Sequence, residues 1–159
     1  MGSVPIFLLV LLLPGAALAQ AGQWGVNVYG FSYHFDRDKA KRLGVDNEVN
    51  PGLGLRYRVD LDASWQGFLD AGAYRDSGRN TAVYAGGGAM FHLSPRFKAG
   101  LALAAFQSDT YNDGNFFIAP LPVLGYDFDR VSLNLVYLPK FKDYNTINTL
   151  GFWLTVWMR

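Results

Sequence analysis

His34, Asp76 and Ser77 together have the side-chain types that acyl transfer requires. A serine hydroxyl is an oxygen nucleophile, a histidine is a base near neutral pH, and a carboxylate orients the imidazole or balances its charge. Asp76 and Ser77 are adjacent, and both are ordinary turn residues, so the pair alone is equally typical of a capped loop. Whether the three side chains meet depends on the elements that position them.

The composition of the 159 residues limits both the chemistry and the partners. The chain has no cysteine and only two histidines, so we expect no thiolate nucleophile, no metal and no cofactor. A formal net charge of +1 argues against a nucleic-acid partner, which requires clustered Lys and Arg. An aromatic content of 16% and 18 glycines indicate an all-β protein. The length fits one domain, which we expect to be a monomer.

The first residues have the pattern of a secretory signal. An unbroken apolar run over residues 6–13 is followed by Ala17-Leu18-Ala19, an A-x-A cleavage pattern. The run is shorter than the roughly 20 residues that a membrane-spanning helix needs. We therefore predict a signal peptide over residues 1–19, with a short membrane anchor as the alternative, and a single domain over residues 20–159.

Alternation of apolar and polar residues dominates the rest of the sequence and predicts strands. The alternation is clearest where Leu53, Leu55 and Tyr57 are separated by glycine and arginine. In segments of mixed parity, Gly30, Pro120 and Pro122 mark predicted bulges or bends. The eight predicted strands lie within residues 23–35, 53–61, 65–75, 83–93, 97–105, 116–126, 131–137 and 150–158.

The connectors between these strands alternate in length. Long or polar segments at 36–48, 76–80, 108–115 and 140–147 alternate with short ones at 62–64, 93–95 and 127–130. Eight strands of about 10 residues, with short turns at one rim and longer loops at the other, predict an eight-stranded antiparallel β-barrel in an outer membrane. The alternative is a soluble barrel that turns its apolar residues inward.

Aromatic residues near the strand ends favour lipid on the outside, because membrane barrels place rings at both interfaces. They are Trp24, Tyr57, Trp65, Tyr84, Tyr126, Tyr137, Trp153 and Trp157. With the apolar parity facing lipid, segments 81–92 and 96–108 line the interior with small or apolar side chains, and Gly88 is among them. This lining predicts either an ordinary packed core or a dry slot for a hydrocarbon chain, since burying each CH₂ contributes about 0.8 kcal/mol.

The same topology brings the reactive residues to one rim. His34 ends the first strand, and Asp76 and Ser77 open the long connector after the third strand. Several short motifs around them resemble the lipid A palmitoyltransferase family (PagP), in the same order and over about residues 29–159. These motifs are Tyr33-His34, Asp36-Arg37-Asp38-Lys39, Asp76-Ser77, Pro120-Leu121-Pro122-Val123, Tyr137-Leu138-Pro139, Tyr144-Asn145 and Trp157-Met158-Arg159.

The resemblance implies an outer-membrane enzyme that moves a palmitoyl chain from a glycerophospholipid to lipid A. It implies that His34, Asp76 and Ser77 are catalytic, with His34 as the base for Ser77 or for a lipid A hydroxyl and Asp76 stabilising the imidazolium. It also implies that Gly88 sets the accepted chain length, and that Pro51 and Pro139 loosen strand pairing for lipid entry. The cations of the long connectors are candidates for binding the lipid A phosphates, with ordinary solvated loop charges as the alternative: Lys39, Lys41, Arg42, Arg79, Lys140 and Lys142.

Two alternatives remain open from the sequence. A lipid A deacylase barrel is suggested by His92-Leu93-Ser94, a His-x-Ser spacing that the topology places at a short turn on the opposite rim. A non-catalytic barrel with a structural or adhesive role would carry the same strand pattern without a working site. Scattered positions of His34, Asp76 and Ser77 would favour the non-catalytic barrel.

Overall fold

Eight antiparallel strands form a closed barrel in the computed structural model, which describes residues 21–141 and 144–159. The predicted signal peptide, residues 1–19, lies outside the described residues. The strands are β1 (Gln23–His34), β2 (Val49–Asp60), β3 (Trp65–Arg75), β4 (Thr81–His92), β5 (Phe97–Gln107), β6 (Phe117–Asp127), β7 (Val131–Leu138) and β8 (Thr149–Trp157). Each strand pairs with the next, and β8 pairs with β1. The predicted eight-stranded antiparallel barrel is confirmed.

The four long connectors meet at one rim, which we call the loop rim, and the three short ones form the turn rim. The first long connector contains a helix, α1 (Arg37–Leu43), which the alternation pattern does not predict. The Asp36 side chain caps it by accepting a hydrogen bond of 2.9 Å from the Lys39 N–H, and Gly44 ends it with a left-handed φ of 69°. Among the described residues, no helix is both long enough and apolar enough to cross a membrane.

The outer face of the barrel is apolar. Leu53, Leu55 and Leu101 leave 64%, 51% and 57% of their surface exposed there, so the apolar parity points outward as predicted. A soluble barrel with its apolar residues inside is therefore excluded. Near the turn rim, outward aromatic rings pair at 5.0–5.2 Å between centroids: Trp24 with Tyr57, Trp65 with Phe91, and Tyr126 with Phe128.

Three of the aromatic residues assigned to the membrane interfaces face the interior instead. The Tyr84 and Trp153 rings line an internal cavity, and Trp157 is 6% exposed, with its indole N–H donating to the Ser132 hydroxyl at 2.7 Å. Their positions near strand ends do not distinguish the two faces, because adjacent residues of a strand point to opposite sides.

A ring of polar side chains crosses the interior toward the turn rim. The Asn27 amide donates to Asp70 at 2.6 Å, and the Arg56 guanidinium donates to Asp70 at 3.0 Å and to Asn134 at 2.9 Å. The Asn134 amide donates to Thr155 at 2.9 Å, and the Thr155 hydroxyl returns to Asn27 at 2.7 Å. The ring therefore links β1, β2, β3, β7 and β8, and each of its five buried members has a polar partner.

Candidate active site at the loop rim

A bulge in β1 aims His34 at the interior. Asn27 and Tyr29 face inward, so strict alternation would turn Phe31 inward and His34 outward. The pairing register of β1 shifts between Tyr29 and Phe31 against both neighbouring strands, which confirms the predicted irregularity at Gly30. Phe31 is consequently 64% exposed to lipid, whereas His34 is only 2% exposed.

Asp76 shapes the turn that carries Ser77. One carboxylate oxygen of Asp76 accepts from the Gly78 and Asn80 N–H groups at 2.9 and 3.0 Å and from the Thr110 hydroxyl at 2.8 Å. The other oxygen accepts a hydrogen bond from the Ser108 hydroxyl. Asp76 therefore fixes its own turn and ties it to the loop that follows β5.

His34 and Ser77 are brought together. The Nε2 atom of His34 lies 3.0 Å from Oγ of Ser77, and both side chains are buried. This distance is within hydrogen-bond reach for a base and a nucleophile. The two residues are 43 positions apart in the chain, and the pairing of β1 with β2 and of β2 with β3 brings the end of β1 and the turn after β3 to the same rim.

The carboxylate that contacts His34 is Glu48, and none of the hydrogen bonds that the structure assigns to Asp76 involves His34. Oε1 of Glu48 lies 3.4 Å from Nδ1 of His34 and accepts the His34 backbone N–H at 3.0 Å. The hydrogen bonds of Asp76 go to its own turn, to Thr110 and to Ser108, and its predicted role in stabilising the imidazolium stays a prediction.

Glu48 is not among the site residues predicted from the sequence, although the sequence contains a signal for it. It is the single glutamate of the chain and immediately precedes β2. Because β1 and β2 pair as an antiparallel hairpin, the residue before β2 lies across from the end of β1, where His34 is. The Ser32 N–H donates to the Glu48 carbonyl at 3.0 Å, which extends this pairing to Glu48.

The Glu48 carboxylate is held in its charged form. Burial alone would raise its pKa, but hydrogen bonds from the His34 N–H and from the Arg37 guanidinium outweigh burial, and the pKa of Glu48 lies below its ordinary value. The Arg37 guanidinium donates to Oε2 at 2.7 Å and to Oε1 at 3.2 Å. α1 thus supplies the cation that fixes the carboxylate beside His34.

Tyr111 is a second residue of the site that is not predicted from the sequence. Its ring lies beside Ser77, and burial followed by the charge of Asp76 raises the pKa of Tyr111 to about 12, while contacts with Ser77 oppose the shift only in part. The phenol therefore stays protonated at neutral pH and can serve as a hydrogen-bond donor next to the candidate nucleophile.

The interior toward the loop rim is hollow. A cavity of about 390 Å³ reaches from Ser77 and Tyr111 at the rim to Arg56, Phe68 and Trp153 at the polar ring. Its volume falls within the range of about 300–1,000 Å³ typical of small-molecule pockets. Strands β4, β5 and β6 contribute small or aliphatic residues to its wall: Gly86, Ala102, Ala104, Ala119, Leu121 and Val123. The predicted apolar slot corresponds to this cavity and occupies only the loop-rim half of the interior.

Ser77 lies where this cavity meets a smaller one. The second cavity, of about 30 Å³, is lined by His34, Ser77, Thr110 and Tyr111 among others. A space of that size holds a water molecule or a small polar group, since one water needs about 10–15 Å³. A group bound through an apolar tail in the large cavity would therefore present its polar end to His34 and Ser77.

The cavity reaches a gap between β6 and β7. Pairing of these strands runs from Asp127↔Ser132 only to Val123↔Val136, although β6 stays paired with β5 as far as Phe117. Pro120 and Pro122 lie in the part of β6 unpaired with β7, where they remove backbone donors. The β5–β6 register is unbroken, so the irregularity predicted at these prolines takes the form of lost pairing with β7, not of a bulge against β5.

The two prolines proposed for lipid entry occupy different surroundings. Pro139 directly follows β7 and lines the cavity beside the gap, together with Ile118 and Pro120 on the β6 side. Pro51 lies in β2 opposite the bulge at Gly30, where the β1–β2 register shifts. A role in lipid entry stays a prediction for both.

Gly88 faces the interior as predicted but does not itself line the cavity. Its register partners are Phe68 on β3 and Ala102 on β5, and both of these contribute to the cavity wall. A Cβ atom at Gly88 would lie 2.1 Å from the Leu101 carbonyl oxygen, so a larger residue there must shift the β5 backbone. Its role as a chain-length determinant stays a prediction.

The remaining candidates divide between the two rims. On the turn rim, the Ser94 hydroxyl accepts from the Arg96 and Phe97 N–H groups, and no hydrogen bond to His92 is found within the described part of the chain. On the loop rim, Lys39 donates to the Thr146 carbonyl and Arg79 pairs with Asp46 at 3.0 Å. Of the candidate phosphate-binding cations, Lys41, Arg42, Arg79 and Lys140 are exposed, whereas Lys142 lies outside the described residues.

Comparison with solved structures supports the fold. The outer membrane protein Ail of Yersinia pestis matches with a TM-score of 0.54 at 12% identity, over 87% of this chain and 100% of Ail. A de novo designed transmembrane β-barrel matches with a TM-score of 0.51 at 14% identity, over 87% of this chain and 97% of the design. No protein-family model and no curated protein matches the chain. With its lipid-facing outer surface, the chain has the fold and location of an outer-membrane β-barrel.

Proposed function

We propose that this barrel is an outer-membrane acyltransferase that moves a palmitoyl chain from a glycerophospholipid to lipid A. One observation carries the proposal: His34 and Ser77 form a pair at 3.0 Å in which Ser77 lines the apolar cavity and His34 lines the small cavity beside it. A cavity of this kind suits a hydrocarbon chain, and a base beside a hydroxyl suits the ester to which the chain is attached. The motif resemblance supplies the two lipid substrates.

In the proposed reaction, the donor chain enters the cavity through the gap between β6 and β7. Nε2 of His34 accepts the Ser77 proton while Oγ attacks the ester carbonyl carbon. The ester bond to glycerol breaks, and the glycerol oxygen takes the proton from the imidazolium as the lysophospholipid leaves. A lipid A hydroxyl then gives its proton to Nε2 and attacks the acyl carbonyl carbon. The bond to Ser77 Oγ breaks, and Oγ takes the proton back from the imidazolium, which regenerates His34 and Ser77. The Tyr111 phenol is available to donate to the carbonyl oxygen.

Lipid A would approach from the loop rim, where its phosphates meet cations. Lys41, Arg42 and Lys140 are exposed there, and both Lys and Arg bind phosphate oxygens. Arg37 is engaged by Glu48 and Lys39 by the Thr146 carbonyl, so these two serve the site and the loop contact instead.

The test is a transfer assay with the refolded protein in detergent, using phosphatidylcholine with a labelled palmitoyl chain and lipid A. Mass spectrometry should show lipid A that has gained one acyl chain. His34→Ala and Ser77→Ala should lower the rate by about 10³-fold or more, because each removes one partner of the pair. Ser94→Ala, at the turn rim, is the control and should leave the rate unchanged.

The other outcomes identify the alternatives. Loss of an acyl chain from lipid A would support the deacylase, and unchanged lipids with a folded barrel would support a non-catalytic role. A labelled acyl group on the Ser77 peptide after a brief reaction without lipid A would support the acyl-serine. Its absence in an active enzyme would mean that His34 activates the lipid A hydroxyl directly.

A further inference from the structure

We propose that Glu48 is the positioning residue for His34 and that Asp76 positions Ser77 instead. The inference deepens the proposed function, on which it rests, by assigning the two carboxylates of the site to different partners. Two successive contacts carry it. Ser77 Oγ lies 3.0 Å from His34 Nε2, and His34 Nδ1 lies 3.4 Å from Glu48 Oε1.

The contact with Glu48 favours one tautomer of His34. An ionised carboxylate can only accept hydrogen bonds, so the contact with Glu48 requires the proton on Nδ1. Nε2 is then left with its lone pair toward Ser77, which is the form that a base needs. Without Glu48, nothing in the described contacts of the imidazole favours this tautomer over the other.

Glu48 is itself immobilised for this task. Its Oε2 accepts from Arg37 at 2.7 Å, and its Oε1 accepts from the His34 N–H at 3.0 Å. The Arg37 guanidinium in turn lies over the Tyr33 ring, 4.9 Å from its centroid. The carboxylate is therefore held from the helix side and from the strand side, as a group that orients another must be.

The four hydrogen bonds to the Asp76 carboxylate come from groups other than His34. One of its oxygens accepts from Gly78, Asn80 and Thr110, and the other accepts from Ser108. These bonds fix the backbone that follows Ser77 and dock the turn on the loop after β5. Asp76 thus determines where the nucleophile is, whereas Glu48 determines which nitrogen of His34 faces it.

The direct test measures the tautomer of His34 by ¹⁵N NMR. In a His92→Gln background, His34 is the only histidine, because the chain has two. The protein without Glu48 substitution should show the Nδ1-protonated neutral form, and Glu48→Ala should shift it toward a mixture. Asp46→Asn, which removes a carboxylate on the same rim that pairs with Arg79, is the matched control and should leave the tautomer unchanged.

Kinetics provide the second measurement. Glu48→Ala should lower kcat by about 10²-fold with the KM for the phospholipid unchanged, as expected for loss of general-base competence. Glu48→Asp should have a kcat between those of Glu48→Ala and the unsubstituted protein. The control Asp46→Asn should keep the full kcat. An unchanged tautomer in Glu48→Ala would overturn the inference, whatever the activity. If the unsubstituted protein transfers no acyl chain, the proposed function fails, and the tautomer shift still decides whether Glu48 orients His34.

Discussion

Toward the turn rim, five polar side chains close a ring across the barrel, whereas toward the loop rim the interior contains a cavity of about 390 Å³. The ring draws its members from β1, β2, β3, β7 and β8, whereas β4, β5 and β6 contribute small or aliphatic residues to the cavity wall. The inward-facing residues therefore form a polar ring toward the turn rim and the wall of a cavity toward the loop rim.

The difference shows how a small barrel keeps a hollow half. A cavity lacks the packing contacts that stabilise a filled core, which costs stability. The ring offsets this by cross-linking five strands through buried hydrogen bonds, including a charged pair between Arg56 and Asp70. Because its members are satisfied by one another, the ring also gives the cavity a fixed floor.

The largest effect expected from this division concerns the stability of the barrel. Asp70→Asn should lower the free energy of unfolding by about 3–5 kcal/mol, because it leaves the Arg56 charge buried without its counter-ion. Urea unfolding of the refolded protein in detergent measures this, with the exposed Asp60→Asn as the matched control. A loss below about 1 kcal/mol, the usual value for an exposed ion pair, would mean that the ring does not hold the barrel together.

Much of the fold can be predicted from the sequence because strand alternation encodes the inward and outward faces directly. The interior is harder to predict. The segments that suggest an apolar lining, 81–92 and 96–108, belong to β4 and β5, whose inward residues are mostly small. Arg56, Asp70 and Asn134 have the same parity on other strands, so the polar ring appears only when all eight strands are assembled.

The candidate site is predictable to the same degree. Connector lengths place His34 and Ser77 on one rim, and the structure brings them within 3.0 Å. Connector lengths cannot show which carboxylate faces the imidazole, because the direction of the Asp76 side chain depends on Ser108, 32 residues away. The inward aim of His34 likewise depends on a bulge, and a bulge reverses the parity of every residue that follows it.

The cavity half can be altered without touching the ring. Ala104→Leu should shift the preferred acyl chain to a shorter length, and Ala102→Leu, about 7 Å deeper along β5, should shift it less. Each methylene that no longer fits should cost about 0.8 kcal/mol, or roughly fourfold in relative rate. Both residues line the cavity and already carry a Cβ atom, unlike Gly88.

Competition between phospholipids of different chain length, read by mass spectrometry, measures this preference. Leu103→Phe, on the lipid face of the same strand, is the control and should leave the preference unchanged. If Ala104→Leu and Ala102→Leu gave the same preference as the unsubstituted protein, the cavity would not hold the chain being transferred.

The smallest expected effect is the pH-dependent contribution of Glu48, at the loop rim, to the stability of the barrel. The pKa of Glu48 is lower in the folded barrel than its ordinary value, so folding favours its ionised form. Its contribution to the free energy of unfolding is therefore complete above about pH 4.3 and is lost as the pH falls through the folded value. At neutral pH, Glu48→Gln should cost less than about 1 kcal/mol, because the pair with Arg37 is partly exposed. Urea unfolding of both proteins between neutral pH and about pH 3 should show the difference shrinking toward zero in acid and in high salt. A difference that persisted unchanged at low pH would show that Glu48 supports the loop rim by its shape rather than by its charge.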